Sequence, residues 1–436
     1  MKPLIGIRRE DKNQWEKRTP IIPSHAGYFI KNHDISVHVQ PSSIRIFSDQ
    51  DYQREGALIK EALTDCPVIF ALKEIPHQFF SKNKTYLFFS HTIKGQKHNM
   101  PMLKRMMELD CTFIEYEKIA DENGIRLVFF GTQAGKAGMI ETLAAFGRRL
   151  EHEGISNPFS AIEQPYVYSS LVEAKEVLNK VGWDIQKKGL HLSMVPLICG
   201  IMGYGRSSKG AQEILDLLPV EEIHPHDLSD FIKKGNFSSN RVYKVIFKEE
   251  DMVMPVSQGK SFKLQDYYSN PGQYRSVFDK YLPHLSILVN CIYWTEDYPR
   301  FVTKKSLKDL FTIEKYPRLK IIGDISCDIE GSIECTFKTT TPSEPVYVYD
   351  PISDSSIDGI QGRGIVVMTI DNLPAEIPLE SSIFFSEKLK TFIPQIARAD
   401  YLTVFEKCKL PDPIKNAVVL YQGEFTPKFE YMKKFV

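Results

Sequence analysis

Residues 194–211 constrain the fold more than any other stretch. The run Met194-Val-Pro-Leu-Ile-Cys-Gly-Ile-Met-Gly-Tyr-Gly-Arg-Ser-Ser-Lys-Gly-Ala211 passes from an apolar segment into a cluster of glycines. Ala211, Ile214, Leu215, Leu217 and Leu218 then recur at helical spacing. Strand, glycine turn and helix, in that order, open a dinucleotide-binding βαβ unit. Small residues let the backbone approach a pyrophosphate, and the helix N-terminus offers free N–H groups and a partial positive charge. Gly203, Gly205 and Gly210 are the candidate glycines, with Arg206 at the helix entrance. Ser208 occupies the sixth position of a strict G-x-G-x-x-G, so on residues alone an ordinary tight strand–helix turn is an equal reading.

The rest of the chain alternates in the same way. Leu4-Ile-Gly-Ile7, Val68 to Leu72, Thr85 to Ser90 and Thr112 to Tyr116 read as short strands, and 49–62 and 100–109 as helices between them. A helix is expected to enter near Ser24, and another to run from Gln133 to about His152, its small residues 134, 135, 137 and 138 permitting close packing. Later strands are expected at 285–292, 319–324, 346–349 and 364–371, with a helix over 381–396. Strands alternating with helices predict an α/β fold with mostly parallel sheets. Ligands of such sheets sit beyond the carboxyl ends of the strands. Lys73, Glu74, His91 and Glu117 all fall at strand ends, and that shared placement singles them out.

Composition narrows the function classes. The 436 residues suffice for two or three domains. Lys plus Arg is 55 and Asp plus Glu is 55, so no bulk charge attracts nucleic acid or an anionic membrane. No apolar run approaches the roughly 20 residues that span a bilayer. The charged N-terminus does not read as a signal peptide, and seven scattered cysteines without a C-x-x-C read as buried thiols in a reducing cytoplasm.

Ten ordered stretches then resemble one family, the lysine-ketoglutarate reductases. They include Gly6-Ile-Arg-Arg-Glu10, Trp15-Glu-Lys-Arg-Thr-Pro20, Leu72-Lys-Glu-Ile-Pro76, Phe89-Ser-His-Thr-Ile-Lys94, Asn99-Met-Pro101 and Phe130-Gly-Thr-Gln-Ala-Gly-Lys-Ala-Gly-Met-Ile140. Ser208-Lys-Gly-Ala-Gln212, Asn290-Cys-Ile-Tyr-Trp294, Asp324 to Glu334 and Ile370 to Ala375 complete the set. The resemblance extends to the N-terminal half of aminoadipic semialdehyde synthase, to lysine-forming saccharopine dehydrogenase and, more distantly, to alanine dehydrogenase. It implies two Rossmann-like domains around a central cleft. The substrate and catalytic domain is discontinuous, 1–140 plus 336–436, and 141–335 binds the dinucleotide. The second enzyme of the bifunctional relatives, a glutamate-forming saccharopine dehydrogenase, is then expected as a separate partner protein. A homo-oligomer is compatible with this picture.

The implied reaction condenses the ε-amine of L-lysine with 2-oxoglutarate, expels water and reduces the imine to saccharopine. The resemblance makes Lys73 and His91 the acid–base pair. A lysine acts as a base near neutrality only if its pKa falls from about 10.4 to about 7–8, roughly 3–4 kcal/mol of differential stabilisation. Arg18 is the expected grip on a substrate carboxylate, because a guanidinium fork matches two oxygens. Glu74, Lys94, Glu117 and Arg126 are further substrate-site candidates, against a default of solvated surface charge. Asn290, Ile292, Asp324 and Ser326 end later strands where relatives face the nicotinamide; buried strand ends are the plain alternative. Counting about 20 residues from Gly203 reaches His224, with no carboxylate there for a ribose 2′-hydroxyl. That favours NADPH, with NADH as the alternative. His224-Pro-His226 lacks the further ligands of a metal site, and no zinc motif or P-loop occurs. The competing readings are the NAD-dependent, lysine-forming direction, another opine-type oxidoreductase, and a degenerate copy that only binds.

Overall fold

The computed structural model describes residues 2–436, which divide into two compact units. The first runs to Phe130 and resumes over Pro378–Val436; the second is Gly131–Ile377. The strands Val346–Asp350 and Ile365–Met368 belong to the sheet of the second unit, so residues 336–377 lie there and not with the C-terminal segment.

The first unit holds an eight-stranded sheet in the order Glu424–Phe425, Val418–Tyr421, Thr112–Glu115, Thr85–Phe88, Val68–Phe70, Leu4–Ile7, Ser36–Val39, Leu58–Ile59. The last six are parallel, and Val418–Tyr421 joins antiparallel. Alternate residues feed two cores: Ile5, Ile7, Val68 and Phe70 pack on one face, Ile69, Tyr86, Phe88 and Phe113 on the other. Burial on both faces explains the unbroken apolar runs in these strands. The helix at Ser24 starts one residue earlier, at Pro23, whose fixed φ suits the first helical position. The expected helix over 49–62 ends at Arg54 and yields to the short strand Leu58–Ile59. That over 381–396 is two helices, Pro378–Lys390 and Ile393–Arg398, the second with Pro394 in its first turn.

The second unit holds another eight-stranded sheet, ordered Ser355–Asp358, Val346–Asp350, Ile365–Met368, Ile321–Asp324, Ile287–Asn290, Ile198–Met202, Val242–Phe247, Val220–Glu222. The last six are parallel. Two features matter for the site. The strand beside Ile198–Met202 is Val242–Phe247, not the next one in sequence, which lies at the edge. The helices Gly131–His152 and Arg206–Leu215 cross where a Cβ on Gly135 would lie 1.9 Å from the Ser207 carbonyl, and one on Gly210 would lie 2.1 Å from that of Thr132. No described helix is long and apolar enough to cross a membrane.

Candidate functional site

In the first unit the adjacent parallel strands Leu4–Ile7, Val68–Phe70, Thr85–Phe88 and Thr112–Glu115 carry their side chains of interest just past their carboxyl ends. Glu10 holds the second of these ends in place: its buried carboxylate accepts the Leu72 N–H at 2.7 Å and the Lys73 N–H at 3.0 Å. Glu115 does the same for the third, accepting the Ser90 N–H at 3.0 Å and the Ser90 hydroxyl at 2.5 Å. Asn99 donates to the Ser90 carbonyl at 2.9 Å. Between these anchors His91 takes a φ of 51°, a left-handed conformation that a non-glycine residue keeps only when its surroundings enforce it. Its ring is thereby aimed back at Glu74.

His91 Nδ1 lies 2.6 Å from Glu74 Oε1, and the Lys12 ammonium bridges both Glu74 oxygens at 2.9 and 3.1 Å. Burial alone would raise the Glu74 carboxyl; the hydrogen bonds from His91 and Lys12 outweigh it and hold the group well below the ordinary carboxylate range. Glu74 thus stays ionised and sets His91 with Nδ1 as the donor, leaving Nε2 as the exchanging nitrogen. Lys73 is half-buried, and its ammonium is destabilised by burial first and then by the charges of Arg18 and Lys12, with Glu16 and Glu74 opposing. Its pKa is lowered, the direction a general base requires.

Arg18 is placed differently from the sequence expectation. Its Nε and Nη2 donate to the two carboxylate oxygens of Glu16 at 2.7 and 2.6 Å, both side chains are buried, and the guanidinium lies 4.4 Å above the Phe130 ring. The fork that would grip a substrate is engaged by the chain's own carboxylate. The Arg18 charge is also one of the causes that lower the Lys73 pKa. Glu117 and Arg126 form a separate ion pair at 3.5 Å, and Lys94 is exposed. Glu10, Glu16 and Lys12, which were not singled out as site residues, complete the cluster. Glu10 and Glu16 lie within the resembling motifs Gly6–Glu10 and Trp15–Pro20, and Lys12 had only the density of charge between Arg8 and Arg18 as a signal.

In the second unit Gly203 has a φ of 88°, and a Cβ there would press on Ile292 at 3.0 Å. Gly205 caps the helix Arg206–Leu215 and has nothing within 4 Å of its missing Cβ. This open cradle at a helix N-terminus suits a pyrophosphate. It opens onto a cavity of about 530 Å³ lined by Gly203 to Ser207, Glu249, Tyr268 and Ile292. Gly210 does not face this cavity; it makes room for the helix crossing. Ser208 is buried and accepts from Gln212 at 2.9 Å.

Asn290 and Asp324 are also internal. Asn290 donates to Asp324 at 2.8 Å and to Ser332 at 2.9 Å, while Asp324 accepts from the Thr336 hydroxyl at 2.6 Å and the Cys327 N–H at 3.0 Å. Burial pushes the Asp324 carboxyl up to about 6. Ser326 donates to the Ile292 carbonyl at 2.5 Å. These three brace the loop that carries Ile292. His224 follows the edge strand Val220–Glu222, one strand removed from the glycine turn. The strand beside the turn ends at Phe247, and past it stands Glu249. Glu249 accepts from the Tyr268 hydroxyl at 2.7 Å on one oxygen, and its other oxygen is buried without a hydrogen-bond partner. The count from Gly203 thus reaches the edge strand, because residues 220–241 place an edge strand and a helix before the strand that neighbours the glycine turn.

Two mostly parallel α/β sheets, one with a glycine cradle, define the Rossmann-type architecture of the alanine dehydrogenase fold. An L-alanine dehydrogenase structure superposes with a TM-score of 0.64 at 15% identity, covering 99% of this chain and 100% of that one. Residues 6–137 match the family described as alanine dehydrogenase/PNT, N-terminal domain. Over 99% of its length the chain is 37% identical to the alpha-aminoadipic semialdehyde synthase of Arabidopsis thaliana, of which it covers 41%. It is 26% identical to the saccharopine dehydrogenase [NAD(+), L-lysine-forming] of Neurospora crassa, covering 89% of this chain and 90% of that protein. The chain therefore spans less than half the length of the semialdehyde synthase.

Proposed function

We propose that this protein is a nicotinamide-linked oxidoreductase that joins L-lysine and 2-oxoglutarate reversibly into saccharopine. The observation that carries the reading is the Lys73–Glu74–His91 grouping: a half-buried lysine of lowered pKa, next in the chain to the ionised carboxylate that sets a histidine. Lys73 takes a proton from the attacking amine. His91, through Nε2, moves the proton that lets water leave the carbinolamine. Lys94, whose side chain is exposed, is the cation proposed for a keto-acid carboxylate, with Arg126, paired to Glu117, in the same role. The similarity to the semialdehyde synthase and to the lysine-forming saccharopine dehydrogenase supports the substrate class.

The glycine cradle and the buried, half-partnered Glu249 fit a dinucleotide, with Gly203 to Ser207 holding the pyrophosphate and Glu249 the ribose. Bound there, the nicotinamide supplies the hydride. A carboxylate with an unpartnered oxygen accepts from ribose hydroxyls and repels a 2′-phosphate, so the reading for this chain is NADH over NADPH. This departs from the NADPH expectation, whose basis was the place of His224. Glu249→Gln tests it. Loss of a charged hydrogen bond, about 1.5–3 kcal/mol, lowers kcat/KM for NADH by about 10- to 100-fold and leaves NADPH turnover level or improved. An unchanged NADH to NADPH ratio removes Glu249 from the ribose site. The reaction itself is tested by mass spectrometry: lysine, 2-oxoglutarate and deuterated reduced cofactor yield saccharopine carrying one deuterium.

A further inference from the structure

We propose that His38, Asp65 and Cys66 form a binding site for a divalent transition metal of the Zn²⁺ class. Among the described residues they are the one grouping of three such side chains whose ligand atoms lie within 4.8 Å of one another. Their 27-residue separation hides the grouping in the sequence.

The distances carry the argument. Cys66 Sγ is 3.6 Å from His38 Nδ1 and 3.6 Å from Asp65 Oδ1, and His38 Nδ1 is 3.3 Å from Asp65 Oδ1. Sulfur, nitrogen and oxygen donors about 2.3, 2.0 and 2.1 Å from a tetrahedral centre lie roughly 3.3–3.6 Å from one another. The three atoms therefore already outline one face of a zinc tetrahedron, with the fourth position left for water. The surroundings fit as well. The Lys60 ammonium binds the other carboxylate oxygen, Asp65 Oδ2, at 2.8 Å, leaving Oδ1 for the ion. His38 and Cys66 are buried while the Asp65 side chain is 44% exposed, so the ion has an entry path from solvent.

The fold makes the space. The strand of His38 and the strand that follows Cys66 flank Leu4–Ile7 on either side, with Gly6 in register with both His38 and Ile69. A Cβ on Gly6 would lie 3.2 Å from Cys66 Sγ, so the glycine gives the thiol room to turn onto the ion. Burial, then Asp65, pushes the Cys66 thiol up to about 12, so without metal it stays protonated. Binding forms a metal–sulfur bond, breaks the S–H bond and sends one proton to solvent, with no change in oxidation state. The result is a clamp from the strand Ser36–Val39 to the turn that enters Val68–Phe70, passing over Gly6, and it shares no residue with the acid–base cluster.

The test is titration of metal-stripped, tag-free protein with Co²⁺, read by absorbance. A near-ultraviolet thiolate-to-cobalt band and visible bands of tetrahedral intensity should saturate at one equivalent, with one proton released, and bleach on adding Zn²⁺. Cys66→Ser should lose the near-ultraviolet band. Asp65→Asn, at an exposed position that leaves the core intact, should weaken binding at least tenfold. No thiolate band at one equivalent, a band unchanged in Cys66→Ser, or an unchanged affinity in Asp65→Asn overturns the site. Neither readout depends on catalysis, so the result is independent of the proposed reaction.

Discussion

At the scale of single residues, Arg18 is the instructive case. Its type and its motif both pointed to a substrate carboxylate, and only the structure shows Glu16 already in its fork. The pair is i, i+2, a spacing that no helical or strand periodicity predicts to meet. Breaking a buried ion pair from one side leaves an uncompensated charge. Arg18→Ala should therefore lose about 3–5 kcal/mol of stability in urea unfolding, and the Glu16→Leu/Arg18→Met double variant should recover most of it. A single variant as stable as the parent contradicts the buried-pair account. Lys73→Met should fold normally and lose about 10²–10⁴ in kcat, the usual contribution of a positioned acid or base. Lys73 must be deprotonated to act, so activity rises with pH through its lowered folded-state pKa. Lys12 is one of the cations that lower it. Lys12→Met removes that charge and should move the acid limb of the kcat/KM profile to higher pH; a limb that stays or moves down argues against Lys73 as the base. Lys73 and His91 were legible in the sequence because both end apolar strands. Their supports Glu10 and Glu115 were not, because each reaches across to a strand far away in sequence.

At the scale of elements, the glycine turn and its helix were legible, but their glycines divide into two roles that spacing alone does not separate. Gly203 and Gly205 open the cradle. Gly210 and Gly135 allow two helices to touch. Gly135→Ala should cost about 3 kcal/mol in unfolding experiments, since its methyl would meet backbone that cannot yield. Gly205→Ala, with an extended backbone and open space around it, should stay within about 0.5 kcal/mol of the parent while weakening nucleotide binding. Equal stability losses in the two variants would contradict the division. Glu249, the proposed ribose acceptor, escaped the sequence reading for a related reason. Chain order and sheet order differ on this side of the turn, so counting along the chain reached His224 where the neighbouring strand leads to Glu249.

At the scale of the whole molecule, strand–helix alternation was enough to predict mostly parallel α/β structure, and the family resemblance to predict two such sheets. Which sheet takes the strands at 346–350 and 365–368 was not, because sheet membership is decided by long-range pairing, and these strands look alike in either context. On the proposed reading the two units divide the chemistry between them, the first with the proton-transfer groups and the second with the nucleotide cradle. The most direct test of that division is steady-state oxidation of NADH, with NADPH in parallel, on adding lysine and 2-oxoglutarate together and one at a time. The account predicts oxidation only when both substrates are present, faster with NADH. Oxidation with either substrate alone, or none with a folded protein that binds the cofactor, would contradict it.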